Sequence, residues 1–243
     1  MRGYTRVSKL MNHLSLHIYH QIQKIDKNWI KVWGLVDKAK GWLSKDEAYL
    51  LYCLAKKVAP NKNIVEIGSY EGRSTIALAG GVRPGVFVYA IDPHTGDRSE
   101  IEAGLTIDTW SNFQANTQAY DCIHAIRKFS VDATQEIGTT QLELIFIDGW
   151  HSEDAVDEDI HSYLPFAAEE FTIVFDDWSH PEVKAGIKKN LKYLPPLIGI
   201  IGKDLVFSNK KEIRKSFFAK IVKHSTNGVE LRYFSLENRN SQK

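Results

Sequence analysis

The sequence predicts an α/β fold: a doubly wound seven-stranded sheet, mostly parallel, closed by an antiparallel C-terminal hairpin. Three observations predict it. Short apolar runs alternate with helical patterns through most of the chain, which is the signature of β-α units. Two of these runs, Leu144 to Ile147 and Thr172 to Phe175, stop on acid, at Asp148 and at Asp176-Asp177. About 28 residues separate the two acidic ends, room for a loop, one helix and a parallel return. Finally, Leu197 to Ile201 and Leu205 to Ser208 flank Gly202-Lys203-Asp204, a tight hairpin composition.

The elements follow in order. Residues 1–41 are basic and aromatic-rich, with Leu10, Leu14, Ile18, Ile22 and Ile25 at helical spacing. Such a stripe does not stay exposed alone, so the segment is expected as a helical extension that acts as a lid or builds a dimer interface. Ser44-Lys45-Asp46-Glu47 is a capping box opening a helix to about Val58, which Pro60 ends. Asn63 to Ile67 is the first core strand, followed by a turn over Gly68 to Gly72 and a helix from Arg73 to Ala79. Val86 to Ile91 is the second strand, ending on Asp92, and Ile107 to Ala119 the next helix. A third strand spans Ile123 to Phe129, with a short helix from Ala133 to Ile137. Helices over Ser152 to Tyr163 and Pro181 to Leu191 surround the fifth strand. Residues 42–208 form the main domain, and 209–243 a basic extension with a helix over Lys210 to Lys223 and a strand over Val229 to Leu236.

Composition narrows the function. Formal net charge is +1, but both ends are basic and the middle is acidic. No stretch approaches the ~18 consecutive apolar residues of a membrane span, and the N-terminus has no long apolar leader. A cytoplasmic protein is expected, with its two cysteines, Cys53 and Cys122, reduced.

In such sheets ligands bind beyond the carboxyl ends of the strands, where Asp148, Asp176 and Asp177 would meet with His151 on the same rim. Two like charges ~4 Å apart repel by roughly 4 kcal/mol at an effective dielectric of 20, so the cluster calls for a cation or shared protons. Val65 to Ser74 joins the first strand to its helix through glycines four apart, Gly68 and Gly72. Glycine permits the sharp turn, and the helix N-terminus offers N–H groups to an anion. Glu66, before the turn, suits a cation, so the pair fits a ligand with carboxylate and ammonium groups, such as an amino acid moiety. The tighter GxGxxG turn of dinucleotide sites is absent. Asp92 stands where an acid accepts hydrogen bonds from ribose hydroxyls; a turn-capping aspartate is the alternative. Asp132 and Ala133 fall where an adenine edge would lie.

Over residues 60–208 these segments resemble the class I S-adenosylmethionine-dependent methyltransferases, in the metal-dependent O-methyltransferase branch. Gly68, Tyr70, Gly72 and Ser74 match the Gly-x-Tyr-x-Gly-x-Ser turn of catechol O-methyltransferases, and Asp148, Trp150 and His151 match their Asp-x-Trp followed by a basic residue. Asp148-x-x-His151 with a downstream Asp-Asp is more similar to the O-methyltransferases of macrolide sugars, which carry histidine at the base position. The resemblance implies a Rossmann-like fold and these roles. Glu66, Gly68, Ser69, Tyr70, Gly72 and Ser74 hold the methionine part of S-adenosylmethionine, and Asp92 the ribose. Trp150 packs on the cofactor or walls the pocket, beside Asp148. Asp148, Asp176 and Asp177 bind Mg²⁺ or another hard divalent cation, and His151 is the general base. The expected acceptor is a small molecule or glycan, with a non-catalytic cofactor-binding protein on the same fold as the alternative. Nucleic acid is not expected: Ile147-Asp148-Gly149-Trp150 stands where enzymes that methylate exocyclic amines carry Pro-Pro-aromatic.

Overall fold

The structure, a computed structural model, describes residues 17–96, 104 and 107–215. After helical residues 17–25 come α1 (Lys27–Val36) and α2 (Lys45–Ala55). Then follow β1 (Asn63–Ile67), α3 (Arg73–Gly81), β2 (Val88–Ile91), α4 (Trp110–Thr117), β3 (Ile123–Ile126), α5 (Ser130–Ile137) and β4 (Leu142–Ile147). The chain continues as α6 (Glu153–Tyr163), β5 (Ala167–Phe175), α7 (Pro181–Lys189), β6 (Leu197–Ile201), β7 (Asp204–Ser208) and α8 (Lys211–Lys215). The part of the expected basic helix beyond 215 and the strand over Val229 to Leu236 lie outside the described residues.

The seven strands form one sheet in the order β3-β2-β1-β4-β5-β7-β6. Pairing is parallel from β3 through β5 and antiparallel for β7 with β5 and β6. Register explains the site. Ile67 faces Ile91 and Ile147, and Ile147 faces Phe175, so Gly68, Asp92, Asp148 and Asp176 leave the sheet in one row. Because β7 runs antiparallel, with Leu205 opposite Phe175, the β6–β7 turn returns to that same rim.

Alternate strand residues feed two apolar layers, as helices on both faces require. Ile64, Leu144, Phe146 and Val174 pack with α2 and α3, and Val65, Ile145, Ile173 and Phe175 with α6 and α7. Tyr19, Trp29, Val32 and Val36 belong to the first layer, where α1 packs against α2 and α3 on that side of the sheet. The capping box forms in full: Ser44 Oγ accepts from the Glu47 amide and Glu47 Oε2 from the Ser44 amide.

Several boundaries move from the sequence expectation. Strand β5 begins at Ala167 rather than Thr172; exposed Glu169 and Glu170 break its apolar pattern, and the register against β4 shifts there. Helix α5 starts at Ser130 rather than Ala133, and β3 ends at Ile126 rather than Phe129. Among the described residues, no helix is long and apolar enough to cross a membrane.

Candidate active site

The turn after β1 is built for close backbone approach. Gly68 (φ 86°), Tyr70 (φ 45°) and Gly72 (φ 88°) all adopt left-handed backbone. A Cβ on Gly68 would lie 1.9 Å from the Asp148 carbonyl oxygen, so only glycine lets β1 and β4 end side by side. Asp92 locks the turn from β2: its Oδ2 accepts from the amides of Ser69 (3.0 Å) and Tyr70 (2.8 Å), and its Oδ1 from the amide of His94 (2.6 Å). A carboxylate has about four acceptor positions, so little capacity remains, and turn-capping is the role these contacts establish. Glu66 is fully buried; Thr75 Oγ1 donates to its Oε2 at 2.5 Å, while Oε1 has no hydrogen-bond partner. Burial pushes the Glu66 carboxyl up to about 7, against the hydroxyls of Ser74 and Thr75, which pull it down.

A cleft of about 390 Å³ opens over this row of strand ends, lined among others by Gly68, Tyr70, Asp92, Asp148, Trp150 and His151. Trp42, from the loop before α2, and Phe129 and Ser130, after β3, complete its walls. Glu66, Ser69, Gly72 and Ser74 stand behind the lining rather than in it: Ser69 and Ser74 are buried, and Gly72 is the N-cap of α3. Phe129 and Ser130 line the cleft, whereas Asp132 and Ala133, expected at an adenine edge, do not. Because α5 starts early, Asp132 faces a neighbouring surface depression, and Ala133 is fully buried beneath the sheet.

At the other end of the cleft the acids gather, though not in the expected set. His151 Nε2 lies 3.8 Å from Asp148 Oδ1 and 3.5 Å from Asp177 Oδ2, and these donor atoms all fall within 4.8 Å of one another. Neither contact is a formed hydrogen bond, so Nε2 sits buried and unpartnered between two carboxylates. Asp176 is excluded from this group. It is 4 % exposed, its Oδ2 contacts Lys203 Nζ at 3.1 Å, and its Oδ1 accepts from the Asp177 amide at 2.7 Å. Burial raises the Asp148 and Asp176 carboxyls, opposed at Asp148 by His151 and at Asp176 by Lys203; His151 is raised in turn, above all by Asp148. The donor set suits a cation. Asp148, whose ionised form burial makes costly, and Asp177 place two carboxylates on either side of the His151 nitrogen, an arrangement that positive charge stabilises.

Comparison with known proteins accords with this geometry. Residues 65–178 match the family model described as a methyltransferase domain. The chain has the fold of a class I methyltransferase. Among similar solved structures, the O-methyltransferase NovP is 13% identical, with 70% of this chain and 84% of NovP covered and a TM-score of 0.56. TomG from Streptomyces achromogenes, an O-methyltransferase involved in tomaymycin synthesis and solved with S-adenosylmethionine, is 18% identical over 80% of this chain and 96% of TomG, with a TM-score of 0.52. CalS11, a TDP-rhamnose 3′-O-methyltransferase of calicheamicin biosynthesis, is 12% identical over 87% of this chain and 96% of CalS11, with a TM-score of 0.50. At these identities the likeness is one of fold, that of the class I S-adenosylmethionine-dependent O-methyltransferases.

Three residues of the cleft region carry no assignment from sequence reasoning. Lys203 reaches Asp176 and also Asp177, whose Oδ1 lies 3.2 Å from its Nζ; the signal was the hairpin itself, whose turn must come back to the rim. Trp42, 79% exposed and 5.4 Å from the Tyr70 ring, walls the cleft from the N-terminal part, and no spacing marks it. His94 packs between Trp110 and Phe113 with Nδ1 2.8 Å from Thr109 Oγ1, buried behind Asp92.

Proposed function

We propose that this methyltransferase moves the methyl group of S-adenosylmethionine to a hydroxyl of a small molecule or sugar-bearing acceptor, with His151 as general base. The observation that carries the reading is His151 Nε2, buried and unpartnered between Asp148 and Asp177 at the wall of the cleft. The glycine turn borders the methionine part of the donor with Glu66 buried behind it, Asp92 keeps the turn in shape and borders the ribose, and Phe129 and Ser130 border the base. Asp148 and Asp177 would hold a divalent cation such as Mg²⁺, which lowers the pKa of a bound hydroxyl and orients its oxygen.

What the chain's own residues do follows from their placement. His151 accepts the hydroxyl proton at Nε2 as the acceptor oxygen attacks the methyl carbon. The O–C bond forms as the S–C bond breaks, and S-adenosylhomocysteine leaves. The Asp148 carboxylate keeps the imidazole basic and stabilises the imidazolium that forms. Trp42 and Trp150 offer apolar faces on which an acceptor ring can lie, and position rather than covalent chemistry supplies much of the rate. CalS11 is named for a sugar hydroxyl on TDP-rhamnose, which supports testing nucleotide-linked and glycosidic sugars first.

The test is transfer of labelled methyl to a panel of glycosylated natural products, nucleotide sugars and phenols. Transfer that chelation stops and Mg²⁺ restores is the expected result. Full activity after exhaustive chelation removes the cation from the reading, and tight cofactor binding with no transfer across the panel removes catalysis.

A further inference from the structure

The β6–β7 turn delivers an ammonium to a rim already crowded with carboxylates, and the fold fixes that delivery tightly. Lys203 Nζ lies 3.1 Å from Asp176 Oδ2 and 3.2 Å from Asp177 Oδ1. Its amide donates to Glu47 Oε1 at 2.6 Å, and its carbonyl accepts from the Trp178 amide at 3.3 Å. The other Glu47 oxygen belongs to the capping box of α2, so the turn is tied to the N-terminal helices. A Cβ at position 202 would lie 2.1 Å from Glu47 Oε1, and Gly202 has φ 56°, so a side chain there would be strained and would push the Glu47 anchor aside. Such a turn sets where the ammonium can reach.

The charge distribution is uneven. Asp176 is nearly inaccessible, with one oxygen on Lys203 and the other on a backbone amide. Asp177 is 31% exposed and two-faced: Oδ1 meets Lys203 while Oδ2 meets His151. We propose that Lys203 is an internal cation that competes with the divalent ion for Asp177, so that the ion enters by displacing the ammonium from Asp177 while Asp176 retains it. The inference rests on the reading that Asp148 and Asp177 hold a cation. Two positive charges on one carboxylate repel, so occupancy by either weakens the other. The ammonium also neutralises the acid pair before any ion arrives, so the rim holds together in the metal-free protein.

Mn²⁺ titration of the full chain, with free ion counted by electron paramagnetic resonance, tests this. Lys203→Met removes the charge and keeps the stem; its Mn²⁺ affinity is expected to rise at least about tenfold, an effect of charge removal close to an ion. Lys203→Arg keeps the charge and can grip both carboxylates with its planar fork; its affinity is expected to fall below that of the unaltered protein. The two variants move in opposite directions, and the arginine variant decides the question even where the methionine variant misfolds. Unchanged or weaker binding in Lys203→Met, or unchanged binding in Lys203→Arg, overturns the competition while leaving the cation reading intact. Absence of Mn²⁺ binding in the unaltered protein and in every variant overturns both, and makes Lys203 a fixed partner of the acid pair.

Discussion

The two ends of the cleft are held by different kinds of bond. At the glycine turn the main chain supplies the contacts: Asp92 accepts three backbone amides, and Gly68 packs against the backbone carbonyl of Asp148, just past β4. At the acid corner, side chains from three separate segments meet one another, at 3.1–3.8 Å, with few main-chain contacts. Amides fixed by a sheet cannot rearrange without unfolding the turn. Side-chain ion pairs can exchange partners at small cost, because each charge has another within reach. The first end is therefore a fixed cradle, and the second is a charge set able to take up a proton or an ion during a reaction. If that division is right, mutations at the two ends should separate binding from chemistry.

The largest effect belongs to the acid corner. His151→Ala should lower turnover by ~10²–10⁴-fold while the calorimetric affinity for S-adenosylmethionine stays nearly unchanged. Asp148 raises the His151 pKa, and a base must be neutral to act. The kcat/KM profile of the unaltered protein should therefore rise with pH as the imidazole loses its proton. That acidic limb should vanish in the variant. A matching loss of cofactor affinity would break the comparison, since the two ends would then not be separable.

The opposite probe is Gly68→Ala. The added methyl meets the Asp148 carbonyl at 1.9 Å and the φ of 86° is strained for alanine. A destabilisation on the order of 3 kcal/mol is expected in denaturant unfolding, with loss of cofactor binding. Stability equal to the unaltered protein would show that the cradle is not rigid.

The same division explains what was legible in the sequence. The cradle could be read because its rules are local: glycines four apart, an acid closing the next strand, and a strand–turn–helix pattern. The succession of strands was legible because buried parallel strands write continuous apolar runs, such as Leu144 to Ile147. Strand β5 was read short because Glu169 and Glu170 face solvent and break that run. At the acid corner the residue types were legible and their pairing was not. Asp176 and Asp177 are adjacent, yet backbone φ of 46° at Asp177 sends one carboxylate to His151 and leaves the other under the sheet edge on Lys203. Lys203, 27 residues from Asp176, becomes its partner only through the antiparallel return of β7. Asp132 and Ala133, expected at an adenine edge, fall outside the cleft lining because a helix start is set by a turn of main chain, and α5 begins three residues before the pattern suggested.

A middle-sized effect tests whether Asp92 serves the cradle, the ligand or both. Asp92→Ala should weaken cofactor binding by about 1.5–3 kcal/mol, the scale of hydrogen bonds to a charged group. Because the carboxylate also holds Ser69, Tyr70 and His94 amides, denaturant stability should drop with it. Lower stability with unchanged affinity in the folded protein would make Asp92 a turn cap and nothing more.

The smallest effect sharpens the comparison most, because it asks whether the cradle carries any exchangeable charge of its own. Glu66 is the candidate, buried with Oε1 unpartnered and its pKa pushed up to about 7 by burial. An unfolded glutamate titrates near ~4.3. With the folded value raised, this group's contribution to stability is full below that pH and is lost as pH rises through about 7. A positively charged methionine moiety bound nearby favours the ionised form, so binding at neutral pH should release part of a proton. Cofactor affinity should then climb with pH and level off above about 7; at pH 6 about a tenth of the carboxyls are ionised, which costs roughly tenfold in apparent affinity. Calorimetry in phosphate and in Tris reads the proton directly, because their ionisation enthalpies differ. Glu66→Gln, which cannot ionise, should remove both the buffer dependence and the pH slope and leave affinity at or below the acid-side level, at least about fivefold weaker than the unaltered protein at pH 7. A binding enthalpy equal in both buffers for the unaltered protein would mean that Glu66 keeps its proton beside the ligand, leaving the cradle a framework of amides alone.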